Sequence, residues 1–178
     1  MNIGEKFEFK GMEWVVLDLD GDKVTAIVTE LLESAPFDDQ DWMHCTNNWK
    51  DCTLRKRLQE SLVPVIGREN LIPHVTDLVA DNGDDRYGTV EDLVWLLSCD
   101  EFRKYRKIIL ENCHYDDWYW TVTPWYITDV GDGYSVRYIY PDGDVGSYGA
   151  DGSNGVAPAC VFHLASLTSA PTGAPQEV

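Results

Sequence analysis

Hydrophobic and polar residues alternate through the first part of the chain. Phe7 and Phe9 are separated by a polar residue, Lys10-Gly11 interrupts them, and Trp14-Val15-Val16-Leu17 follows. Val24, Ala26 and Val28 then repeat with period two. A period of two turns one strand face to the core, so residues 3–30 predict a β-meander. Asp20-Gly21 supplies its tight turn, since the central positions of such hairpins require positive φ. Asp18, Asp20 and Asp22 are read as turn chemistry, because the glycine and terminal glutamate of a calcium-binding loop are missing. The pattern lapses over residues 33–52, where Pro36, Asp38, Asp39, Asp41, Asn47 and Asn48 make a polar connection. Trp42 and Trp49 are expected to pin it to the core. From Thr53, read as an N-cap, Leu54, Leu58 and Leu62 recur at helical spacing until Pro64 ends the run.

Beyond that helix, Ile66, Leu71, Ile72 and Val75 are expected inside, and Asp81-Asn82-Gly83-Asp84-Asp85 as an exposed acidic turn. Val94-Trp95-Leu96-Leu97 reads as a buried strand. Ser98 and Glu101 form an S-x-x-E capping box, opening a helix of about ten residues with Phe102, Tyr105 and Ile109 as its apolar stripe. Trp118, Trp120 and Trp125 read as scaffold. Ser135, Arg137 and Ile139 alternate with Val136, Tyr138 and Tyr140, Pro141-Asp142-Gly143 is a turn, and Val156–Leu164 closes the fold as a strand. These elements predict an α+β domain over residues 1–165, with small mixed or antiparallel sheets, two main helices and long C-terminal loops. Residues 166–178, small and proline-bearing, predict a flexible tail.

Charge narrows the list of partners. Thirty-one acidic against fourteen basic side chains give a formal −17, which repels nucleic acid and anionic membranes. Solubility is the plainer reading of that charge, and a cationic partner, a divalent metal or mimicry of nucleic acid the sharper one. The start MNIGEKFEF has no apolar core of a signal peptide, and no stretch is long and apolar enough to span a bilayer. Five cysteines, scattered and odd in number, point to reduced thiols, which suits the cytoplasm or a phage particle assembled there. His44, Cys45, Cys52, Cys113 and His114 have zinc-ligand chemistry but lack paired C-x-x-C knuckles, so buried thiols are the stronger reading.

The strongest functional signal lies between Tyr126 and Asn154, where Tyr, Asp, Gly, Ser and Asn fill most positions. Antibody paratopes use this palette, because tyrosine offers broad amphipathic contact at low entropy cost. Tyr126, Tyr134, Arg137, Tyr138, Tyr140, Asp142, Asp144, Tyr148, Asp151 and Asn154 are the candidate binding residues. Asp129, Asp132, Asp142 and Asp144 are oxygen donors for which calcium is the weaker alternative to no cofactor at all. No nucleophile elbow, phosphate loop or dinucleotide fingerprint occurs. Strand alternation also puts Cys160 and His163 on opposite faces, so no catalytic constellation is found and a non-enzyme is expected.

In chain order, Trp14-Val15-Val16-Leu17-Asp18, Leu54-Arg55-Lys56-Arg57-Leu58-Gln59, Val94-Trp95-Leu96-Leu97-Ser98, Trp120-Thr121-Val122-Thr123-Pro124, Asp142-Gly143-Asp144-Val145 and Gly155-Val156-Ala157-Pro158-Ala159 form a set of landmarks. The set resembles an uncharacterised bacterial and phage domain family of unknown function. That family in turn is similar to the C-type-lectin-like fold of formylglycine-generating enzymes and of retroelement variable proteins. The resemblance implies that the N- and C-terminal strands meet and that loops in the last third form a binding face. The family's arginines in two landmarks are Val122 and Ala157 here. The E-P-N or Q-P-D signature of sugar-binding C-type lectins is missing, as is the C-terminal cysteine pair of formylglycine-generating enzymes. The expected function is ligand binding or display, toward a protein or glycan. The alternative is an acidic decoy for a basic nucleic-acid-binding protein.

Overall fold

The alternating N-terminal segment folds as a meander of β1 (Lys6–Phe9), β2 (Met12–Asp20) and β3 (Lys23–Val28), paired antiparallel throughout. The computed structural model describes residues 1–128 and 134–168. The β1–β2 turn uses Lys10 and Gly11, both left-handed at φ 54° and 77°, the conformation a two-residue hairpin demands. After β4 (Ser34–Pro36) and a long loop comes α1 (Thr53–Ile66). Next are β5 (Leu71–Ile72), β6 (His74–Asp77), β7 (Thr89–Asp92), β8 (Val94–Leu96) and α2 (Cys99–Asn112). The last third holds β9 (Tyr119–Pro124), β10 (Ser135–Ile139), β11 (Val145–Gly149), β12 (Ser153–Gly155), β13 (Pro158–His163) and α3 (Leu164–Thr168).

The closing strand completes the N-terminal sheet. One edge of β13 pairs with β3, and the other pairs with β8 through Pro158–Cys160 and with β5 through Val161 and Phe162. Phe162 receives Phe7, Phe9 and Trp14 edge-on, with ring centroids 5.8, 5.5 and 5.1 Å away. A second sheet runs β11-β10-β9-β12-β4, and β6 pairs with β7 alone. Helix α2 packs against β2 and β9, bridging the sheets, while α1 lies on β8. One apolar cluster from Phe9 to Phe162 joins these layers. The architecture is α+β.

Several local expectations shift. The N-cap of α1 is Cys52, whose Sγ accepts from Arg55 N at 3.4 Å, while the Thr53 hydroxyl accepts from Asp39 N at 2.8 Å. Pro64 sits inside the helix, which runs on to Ile66 before Gly67 N closes on Val63 O. Proline there withdraws one donor from the ladder, the N–H that would reach Glu60 O, and the helix continues for two more residues. The Ser98–Glu101 capping box forms as expected, but α2 extends to 14 residues. Val75 is 56% exposed, because β6 pairs only with β7 and turns that side chain outward. Trp42 is 65% exposed, whereas Trp49 is fully buried. Trp118 and Trp125, expected as scaffold, are substantially exposed, and only Trp120 is enclosed. The stretch expected as a tail begins within α3, and residues 169–178 lie outside the described residues. No helix among the described residues is long and apolar enough to cross a membrane.

Candidate functional site

The site is assembled by the loop between β4 and α1, which hydrogen bonds hold at three points. Asp38, buried, accepts from Thr46 N at 2.9 Å and from Thr53 N at 3.2 Å, closing the loop on itself. Asn47, also buried, donates to Tyr126 O at 2.9 Å and Ser135 O at 3.2 Å. Its own carbonyl accepts from the Tyr87 hydroxyl at 2.7 Å. Trp49 packs on Phe37 and donates from Nε1 to Asp92 at 2.9 Å. A loop pinned in this way loses much of its freedom before any ligand arrives.

At its tip Asp41 caps a turn by accepting from Met43 N at 2.9 Å. That turn leaves Trp42 and Met43 pointing to solvent. Across from it stands the β10–β11 hairpin, with Val136 opposite Tyr148 and Ser135 opposite Gly149. Trp42, Trp125, Tyr134, Tyr148 and Asp151 frame an open trough of about 590 Å³ between loop and hairpin. The tyrosines lie on bare backbone. A Cβ on Gly149 would come within 3.3 Å of the Tyr134 ring, and one on Gly152 would fall inside the Tyr148 ring. Trp125 donates its backbone N–H to Ser135 O at 3.0 Å, and the Arg137 guanidinium sits 5.5 Å from its ring centre. Arg137 itself is neutralised by Asp81 at 2.5 Å.

The predicted binding residues divide into separate groups. Tyr134, Tyr148 and Asp151 reach the trough, and Tyr126 and Arg137 adjoin it through Trp125. Tyr138 is buried, stacked under Trp118 at 4.9 Å and donating to the Tyr140 hydroxyl at 2.8 Å. Burial, then that hydrogen bond, pushes the Tyr138 phenol up to about 12. Asp142 and Asp144 occupy the hairpin turn, beyond the far end from Tyr134 of the β10–β11 ladder, which itself spans about 13 Å at strand rise. Their contact is turn chemistry, Asp144 N donating to Asp142 Oδ1 at 3.1 Å. Asn154 is buried in β12. Asp129 and Asp132 lie outside the described residues. Among the described residues no three His, Cys, Asp or Glu side chains gather as a metal site.

Sequence reading missed Trp42 and Trp125 as site residues. The available signal was Trp42-Met43 following an aspartate within a polar loop, a poor place to hide two large apolar side chains. The thiols are engaged in the scaffold. Cys52 caps α1 and burial pushes it up to about 12, burial pushes Cys113 up to about 11, and burial holds Cys160 well above an ordinary thiol. Val122 and Ala157, at the positions of the resembling family's arginines, lie in the apolar core. A second concavity, about 500 Å³ beside the start of α2, is lined by exposed Asp77 and by three acids already engaged. Asp81 holds Arg137, Asp100 holds Arg103, and Glu101 serves the capping box and His74.

These features define an α+β chain with a braced, solvent-open aromatic trough at one end of its second sheet. Residues 22–164 match the family described as a domain of unknown function (DUF6273), and the chain belongs to that family. A search of curated proteins and a search of solved structures each return no match.

Proposed function

We propose that the chain is a non-enzymatic ligand-binding or display module of C-type-lectin-like architecture. Its binding face is the trough of Trp42, Trp125, Tyr134 and Tyr148. The adjacency of β3 and β13, with long loops concentrated around a second sheet, supports that architecture. One observation carries the functional reading: these aromatic side chains are 40% to 65% exposed around a single trough. A monomer rarely leaves several large rings together in water unless they meet a partner, and rigid tyrosine and tryptophan make efficient contact surfaces. The buried thiols, and the engagement of Asp81, Asp100 and Glu101 in the second concavity, favour binding over catalysis.

A displayed library of random peptides, panned on the folded protein, tests this. Recovered clones are expected to lose binding to a Tyr134→Ala/Tyr148→Ala variant. Clones that bind wild type and variant equally would place recognition elsewhere.

A further inference from the structure

The chemistry of the trough selects among ligands, on the reading that the trough is the binding face. Its lining holds no basic side chain among the described residues, so anions find no partner there. Its polar groups are the side chains of Ser135, Ser147 and Asp151 and the ring tips of its aromatics, the Tyr134 and Tyr148 hydroxyls and the Trp42 and Trp125 indole N–H. Only one carboxylate stands among them, and a sugar would otherwise rely on hydroxyl and indole tips at the ends of exposed rings. Asp151 is exposed and carries no ion pair among the described residues. Covering it with a purely apolar segment would strand a charge away from water. The guanidinium beside Trp125, that of Arg137, is committed to Asp81 and to the Trp125 ring.

What remains complementary is a cation with an apolar stem. Aromatic faces attract ammonium and guanidinium groups, and lysine and arginine lay their methylenes along apolar surfaces while the charge reaches a polar partner. The formal charge of −17 raises the local concentration of such groups. The trough is open to solvent and encloses little of what lies in it, a shape that suits an extended segment rather than one small molecule. We infer that the trough docks a basic, extended peptide segment of a partner protein, its lysine or arginine stems on the tryptophan and tyrosine rings and a cationic head on Asp151.

The probe is a short peptide of alternating lysine and serine, titrated into the full chain at physiological salt by tryptophan fluorescence and calorimetry. Matched peptides with asparagine or glutamate for lysine, and a neutral oligosaccharide, serve as comparisons. Saturable binding of the lysine peptide alone is expected. Tyr148→Ala should weaken it roughly ten-fold, the scale of one good cation–π contact, and Asp151→Asn should weaken it several-fold. Equal binding of the asparagine peptide or the oligosaccharide, lost in Tyr148→Ala but untouched by Asp151→Asn, overturns the basic-segment inference and leaves the trough as the site. Lysine-peptide binding unchanged in Tyr148→Ala is diffuse attraction to an acidic protein and overturns both. Absence of saturable binding overturns the inference.

Discussion

Arg55 grips Asp92 side-on, its Nε donating to the two carboxylate oxygens at 2.9 and 3.1 Å and its Nη2 lying 2.8 Å from Oδ1. Arg55 Nη1 also donates to Lys50 O at 3.0 Å, and Trp49 Nε1 shares the carboxylate. One ion pair therefore joins α1, the end of β7 and the loop that carries Trp42.

The Asp92 side chain is 2% exposed, so deleting its partner leaves a buried carboxylate uncompensated. Arg55→Ala is expected to cost about 3–5 kcal/mol, measured by urea unfolding. Asp92→Asn removes the charge while keeping an acceptor for Trp49, and should cost less. If the order of the two is reversed, the pair is not what braces the loop.

Two glycines separate trough from core. A Cβ at Gly146 meets the buried Tyr138 ring, which is clamped by Trp118 and Tyr140, whereas a Cβ at Gly152 meets the half-exposed Tyr148 ring. Gly146→Ala should therefore cost about 1–3 kcal/mol by overpacking. Gly152→Ala should be milder in stability but swing Tyr148 out, visible as a changed near-UV circular dichroism spectrum. Equal stability losses would contradict this assignment.

Asp18 accepts from Lys104 Nζ at 2.7 Å and from the Tyr105 hydroxyl at 3.1 Å, and the Lys104 contact chiefly holds the Asp18 carboxyl below its ordinary range. A depressed carboxylate stabilises the fold above its unfolded pKa and loses that contribution as pH falls through the folded value. The gain is confined to pH above the usual aspartate range and disappears in acid. With Asp18 37% exposed, solvent screening limits it to below about 1 kcal/mol. Asp18→Asn should lower stability at neutral pH by that small amount and leave stability unchanged in strong acid, as read by thermal melts across pH.

Buried thiols resist alkylation because the thiolate is the nucleophile. Burial raises Cys45, Cys52, Cys99, Cys113 and Cys160 alike. Iodoacetamide at neutral pH should label the native protein slowly at all five and the denatured protein quickly. Rapid native labelling at Cys160 would place that strand at the surface.

Short-range signals carried much of the fold. The meander followed from alternation at Val24, Ala26 and Val28, and α2 from two side chains, Ser98 and Glu101, three residues apart. The site was less legible, because long-range partners settle it. Trp42 and Trp49 occupy the same polar loop, yet Trp49 is buried since Asp92, far along the chain, accepts its indole N–H. The polar neighbours of Trp42 point to exposure, but Trp49 has polar neighbours too, so local sequence does not separate them. The cap at Cys52 was hidden for a related reason: Thr53, the better capping residue by type, is occupied by Asp39. Tyrosines 126–148 read as one palette, but the length of the β10–β11 ladder splits them into a trough, a buried stack and a turn.

The position of β13 between β3 on one edge and β5 with β8 on the other also bears on synthesis. A growing chain that has emerged only through β12 possesses every other strand of that sheet, yet it has open backbone edges where residues 158–163 belong. Unpaired edges template association. Ribosomes stalled before β13 would thus release fragments prone to aggregate, and those six residues of sheet convert a sticky intermediate into a closed molecule.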